Sequence, residues 1–186
     1  TDTDKLEDSG YKSTDAGFSF GTAFEQYDDL YFRPTFSTVY EQLTTNSSAS
    51  TNLKKQEGSY FTSTIGYSLD YDKRNQRFQT SEGFRSKFYQ KIPLISESNT
   101  LVNGYQIDSY HTLSDVTASL GLYLRAANGL SDDVRISERL NLPRKRLRGF
   151  ESGKIGPVDA KDYVGGNYAA SFNFQSNLPF IFPSFQ

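Results

Sequence analysis

The chain has 186 residues, enough for one domain of ordinary size, and its 20 Lys and Arg against 22 Asp and Glu leave a formal net charge of -2. That balance excludes the basic excess a nucleic-acid partner would draw, and the absence of Cys excludes a disulfide framework or a thiolate metal site. Hydrophobic residues make up 35% of the chain and aromatics 15%, yet no stretch approaches the ~18 consecutive apolar residues of a membrane-spanning helix, so any membrane role must use strands. There is no Met, so residue 1 is not expected to be a translation start, and the chain is expected to be a piece of a longer one.

In chain order, the recurring period is two. Over residues 17–26, Phe18, Phe20 and Phe24 share one face, while Gly17, Ser19, Gly21, Ala23 and Glu25 share the other. After a turn at Tyr27-Asp28-Asp29, a second strand sets Phe32, Pro34, Phe36 and Tyr40 against Arg33, Thr35, Ser37 and Glu41. A polar, low-complexity connection is predicted over residues 46–58. The third strand sets Phe61, Ile65, Tyr67, Leu69 and Tyr71 against Thr62, Thr64, Gly66, Ser68, Asp70 and Asp72. In the fourth, over 83–92, Arg85, Lys87, Tyr89 and Lys91 share a parity. The fifth, over 100–111, alternates less cleanly. The sixth opposes Val116, Ala118, Leu120, Leu122 and Leu124 to Thr117, Ser119, Gly121, Tyr123 and Arg125. A long segment over 126–165 has no consistent period. The seventh strand opposes Tyr168, Ala170, Phe172, Phe174 and Leu178 to Ala169, Ser171, Asn173, Gln175 and Asn177.

Each strand is close to the ~9–11 residues that cross a bilayer at a tilt. The second parity, rich in Gly, Ser, Thr and paired charges, suits a wet barrel interior, and Tyr31, Tyr40, Tyr60 and Tyr71 stand near strand ends, where an aromatic girdle sits. A half-exposed sheet in water would show the same alternation, but strands of soluble sandwiches are shorter, about 5–6 residues. The fold class expected is therefore all-β: a fragment of an antiparallel transmembrane β-barrel, with residues 1–186 forming one partial domain. Seven strands do not close a barrel of the even-numbered bacterial kind, and Pro179 and Pro183 disfavour a paired strand around Phe180. Phe185 is thus not expected to be a terminal aromatic, and strands are expected to be missing at both ends.

The segment 126–165 is long for a connection without structure of its own, which points to function. It contains Arg146-Leu147-Arg148-Gly149-Phe150 and Ile155-Gly156-Pro157, and it runs into Val164-Gly165-Gly166-Asn167. Arg148-Gly149-Phe150 reads as a hairpin tip: Gly149 permits a positive-φ turn, Phe150 anchors by burial, and Arg148 offers a charged planar fork that needs an acceptor. The wider run Arg144-Lys145-Arg146-Arg148 reads as a solvated loop with one specific arginine. His111, the only histidine, reads as a strand-end or lumen residue, and Asp28-Asp29 and Asp132-Asp133 as turn residues. No catalytic, cofactor-binding or metal-binding group is expected, and no enzyme.

These motifs resemble those of the BamA/Omp85 family of outer-membrane assembly and secretion barrels, over essentially the whole chain. In that family the loop before the thirteenth of about sixteen strands folds into the lumen and docks its Arg-Gly-Phe tip on the inner wall. Arg148-Gly149-Phe150, Gly156-Pro157 and Gly165-Gly166-Asn167 match that pattern here. An upstream family turn, Asp-x-Arg-Asp/Asn followed by Pro-Thr-x-Gly, is matched by Asp72, Arg74, Asn75 and Gly83, with Thr80 in place of the Pro. Where the family often places an inner-wall Glu facing the tip arginine, this chain has Gln175, whose carbonyl would accept from Arg148 in a weaker pair.

The spacing looks more similar to BamA-type assembly factors than to two-partner secretion transporters. The resemblance implies a cofactor-free protein of the bacterial outer membrane that folds and inserts β-barrel proteins. It also implies unfolded outer-membrane protein clients, accessory assembly lipoproteins and outer-membrane lipid as partners, and no nucleic acid. A polypeptide secretion or translocation pore is the alternative on the same fold. A soluble or surface β-sheet adhesin is the alternative from another class.

Overall fold

A computed structural model describes residues 2–5, 10–97 and 99–177, the first of these segments by its backbone alone. Nine strands form one sheet: β1 (Asp2–Lys5), β2 (Tyr11–Gly21), β3 (Phe24–Tyr27), β4 (Leu30–Thr45), β5 (Gly58–Asp72), β6 (Gly83–Ser96), β7 (Thr100–Leu113), β8 (Val116–Gly129) and β11 (Tyr168–Asn177). Every pairing is antiparallel, and the order follows the chain, with β3 continuing the line of β2 along β4. The long connection between β8 and β11 carries a separate small hairpin, β9 (Val158–Asp159) with β10 (Asp162–Tyr163). The seven strands predicted are all present, and β1 is an addition. The expectations for Leu178, Pro179, Phe180, Pro183 and Phe185 concern residues outside the described ones.

Directly opposed residues share a face of the sheet, so each lateral row has one character. One row runs Phe32, Leu69, Phe88, Tyr105, Leu124 and Ala170; its neighbour runs Arg33, Ser68, Tyr89, Gly104, Arg125 and Ala169. The first row lies on the outer, apolar face, where Phe18 is 62% and Phe172 69% exposed. Such a surface is stable against hydrocarbon, not water. With 15 residues in β5 and 14 in each of β6, β7 and β8, the strands are long enough to cross a bilayer at a tilt.

Two of the four predicted girdle tyrosines face inward instead. Tyr31 lies opposite Asp70 and Tyr60 opposite Glu41, whereas Tyr40 and Tyr71 keep the outer parity. A one-residue step in a strand exchanges faces, so nearness to a strand end does not decide the side. The untidy alternation of β7 has a physical reason too. Asn103 stands on the outer face, where it accepts from Gln90 Nε2 at 2.6 Å, and Gln90 in turn accepts from the Tyr67 hydroxyl at 3.2 Å. The amides satisfy one another along the row, which lowers the cost of facing lipid.

The apolar core is small and lies on the inner side. Tyr11, Leu43, Ala49, Leu53, Ile136 and Val164 form one cluster, with Tyr60 against it; Ala127, Val134 and Leu140 form another. The connection over 46–58 is therefore not merely polar. It folds a turn of helix, α1 (Thr51–Lys54), whose Ser50 cap accepts from the Leu53 backbone N–H at 3.2 Å, and Leu53 is only 2% exposed.

Candidate functional site

The segment between β8 and β11 folds across the inner face and is held at three levels. At its neck, Leu140 and Gly166 exchange backbone hydrogen bonds of 2.8 and 3.0 Å, and the Asn167 carbonyl accepts from Ala127 N at 2.8 Å. Gly165 turns the chain there at a φ of +71°. The predicted Gly165-Gly166-Asn167 stretch thus lies where the loop closes onto β8. Gly156, at a φ of +129°, precedes Pro157, whose carbonyl accepts from Val164 N at 3.1 Å.

A second anchor gave no signal in the sequence. Arg135 stacks over the Tyr60 ring at 4.0 Å, with its guanidinium 3.4 Å from Glu41 and 3.2 Å from Glu138. Beside it, Ile136 N donates to Gln56 Oε1 at 2.8 Å, and Ile136 enters the core next to Leu53. Between this anchor and the sheet lies a cavity of about 360 Å³, lined by Asp15, Glu41, Thr64, Lys91, Arg125 and Arg135 among others.

The third level is the tip, and here the arginine differs from the one expected. A 3-10 turn over Arg144–Arg146 aims Arg146 at the wall, where its two Nη atoms donate to Asp108 at 2.7 and 2.9 Å. The Tyr123 ring lies 5.5 Å beneath the guanidinium, and Asn173 Nδ2 donates to the Arg146 carbonyl at 2.8 Å. Asp108, Gly121 and Asn173 are direct lateral neighbours on β7, β8 and β11. Gly121 keeps the slot open: a Cβ there would sit 2.8 Å from both Arg146 Nη1 and Asp108 Oδ1. The hydrogen bonds to Asp108 push the Arg146 guanidinium above its ordinary range, so it stays charged.

Arg148, Gly149 and Phe150 lie past this dock. Gly149 has the positive φ expected, +85°, but Arg148 is exposed and Phe150 is 59% exposed, not buried. Arg148 and Gln175 line the same 260 Å³ recess beside Asp108, yet among the described residues no hydrogen bond joins them. The expected Arg148–Gln175 contact is replaced by Arg146–Asp108, because the carboxylate and the gap at Gly121 lie within reach of the 3-10 turn.

The upstream turn motif organises the opposite end of the strands. Arg74 Nε and Nη2 each donate to Asp72 at 2.7 Å, which folds the chain back at the end of β5. Asn75 Oδ1 accepts from the Ser81 and Glu82 backbone N–H groups, and Asn75 Nδ2 donates to Ser81 Oγ at 2.6 Å. Gly83 has a φ of +93°, and a Cβ would lie 2.1 Å from the Lys73 carbonyl oxygen, so no other residue fits without moving the backbone. Thr80, standing where the family has Pro, ties the turn by donating to the Gln76 carbonyl at 2.8 Å.

An antiparallel wall with an apolar outer face, a polar inner face and a loop folded onto the inside belongs to a transmembrane β-barrel with an internal plug-like loop. The family model for the Omp85 superfamily domain matches residues 2–186, and the chain belongs to that superfamily. Membership implies a bacterial outer-membrane protein concerned with outer-membrane protein assembly or translocation. No curated protein matches the sequence.

Proposed function

We propose that this chain is barrel wall from a BamA-type assembly factor, a non-enzymatic protein that folds and inserts β-barrel clients into the outer membrane. The observation that carries the reading is the loop held against the inner wall at its neck, its Arg135 anchor and its Arg146 tip. A loop fixed this way stiffens the wall from inside and keeps the lumen from being an open channel. Long loops of outer-membrane barrels face the exterior and short turns the periplasm. The Asp72–Gly83 connection shares its end of the sheet with the two-residue turns after β3 and β7, and so belongs at the periplasmic mouth in this reading. Unfolded outer-membrane proteins, accessory lipoproteins and outer-membrane lipid are the partners this role requires.

The charged inner wall and the cavity beneath the loop favour a second reading, an Omp85-type pore that translocates polypeptide. Depletion of the full-length parent in its host separates the two. An assembly factor leaves many outer-membrane proteins unfolded, seen as loss of their heat-modifiable gel forms. A dedicated pore leaves those forms intact and abolishes export of its own substrate; that result would overturn the assembly reading.

A further inference from the structure

At the short-turn end of the inner wall, Arg33, Arg74, Arg77 and Arg85 surround a recess of about 150 Å³ together with Tyr31, Asp70 and Asp72. Four guanidinium groups face two carboxylates, an excess of two positive charges. Both carboxylates are already engaged. Asp70 accepts from Arg33 and from Arg85 Nε and Nη2 at 2.8 and 2.7 Å, and Asp72 is taken by Arg74. A guanidinium has five N–H donors, so Arg33, Arg74 and Arg85 keep donors beyond these bonds. Arg77 has no hydrogen-bond or ion-pair partner among the described residues.

The aspartates hold the Arg33, Arg74 and Arg85 forks in fixed positions, and Tyr31 stacks on Arg33 at 5.5 Å, so an incoming anion would have to order only Arg77. Planar forks with spare donors match a carboxylate in paired hydrogen bonds. The recess has room for several waters at about 30 Å³ each, or for one carboxylate-bearing side chain. Tyr31, Arg33, Asp70, Asp72 and Arg85 belong to the inner face, with Arg74 and Arg77 in the turn at its rim. The recess therefore opens to the lumen side, which a polypeptide entering the lumen passes and lipid headgroups do not. We propose that this recess binds carboxylate side chains of an extended polypeptide at the periplasmic mouth of the barrel. The inference rests on the assembly-or-translocation reading above and adds the chemistry by which the wall holds its client.

The test uses the full-length parent in lipid nanodiscs, with heat-modifiable gel migration to check the folded barrel. A labelled unstructured peptide containing Glu residues, and its twin with Gln in their place, are titrated by fluorescence anisotropy. The Glu peptide is expected to bind more tightly than its twin, and Arg77→Gln should weaken it by about threefold to fivefold, the scale of one accessible ion pair. Arg144→Gln, which removes the same charge from an exposed loop position, should leave binding unchanged. Equal binding of the two peptides, no effect of Arg77→Gln, or an equal effect of Arg144→Gln overturns the proposal. Displacement of the Glu peptide by inorganic phosphate but not by glutamate also overturns it, because the recess then prefers phosphate. A parent that does not migrate as a folded barrel sinks the underlying reading as well; a folded barrel indifferent to Arg77 sinks the recess alone.

Discussion

Arg146 reaches Asp108 because position 121 carries no side chain, and the pair closes a contact between residues 38 apart in sequence. The arginine side chain is 8% exposed and the aspartate 27%, so the pair is neither dry nor fully wet. Removing one partner of a dry pair costs about 3–5 kcal/mol, and partial hydration of Asp108 brings that to about 2 kcal/mol here. Arg146→Ala in the full-length barrel is therefore expected to lower stability by about 2 kcal/mol and to expose the tip to protease. Arg148→Ala should change stability by less than about 0.5 kcal/mol. Urea unfolding followed by the heat-modifiable gel shift measures both; if Arg148→Ala is the more damaging, the tip docks through Arg148 and the pair with Asp108 is not the anchor. The chemistry of a docked arginine was legible in the run from Arg144 to Arg148. Which arginine docks was not, because Asp108, Gly121 and Asn173 decide it from three other strands.

Strands were the most legible elements, since alternation is a local property and each lateral row inherits it from the strands that compose it. Connections were less legible for the same reason: what makes one ordered lies elsewhere in the chain. Residues 46–58 look polar, yet Leu53 and Ala49 supply the surface on which Ile136 and Val164 pack from far downstream. Arg135 is similarly unremarkable until Tyr60 and Glu41 stand beside it. The consequence is that α1 and the loop base act as one unit. Leu53→Ala should destabilise that unit by about 2–5 kcal/mol while leaving strand pairing intact. Hydrogen exchange is the measurement: faster exchange at Ile136 and at the Leu140–Gly166 bridge, with β5 to β8 protected, is the expected result. Unchanged exchange at Ile136 would mean that the loop base does not depend on α1.

At the scale of the whole molecule, the decisive property is which medium each face meets. Thr64 and Ile65 are adjacent on β5, near its middle, and differ in face: Thr64 lines the inner cavity with Lys91, Asp15 and Glu41, and Ile65 lies 43% exposed on the outer side between Phe36 and Ile92. In a barrel, Ile65→Arg brings a guanidinium into hydrocarbon, at about 2–4 kcal/mol near the bilayer midplane. Thr64→Arg instead enters a wet cavity with carboxylates in its lining, and the cost should stay within about 1 kcal/mol. For a sheet in water the loss at Ile65 disappears, because a half-exposed Ile accepts a charge easily, while the cost at Thr64, set by the inner cavity, stays the same. Unfolding free energies of the two variants of the full-length parent, measured in lipid vesicles, therefore read the medium of each face directly. A large loss at Ile65 with a small one at Thr64 is the barrel's result. A small loss at both positions would mean that the aromatic face meets water, and it would remove the ground for placing the loop in a lumen.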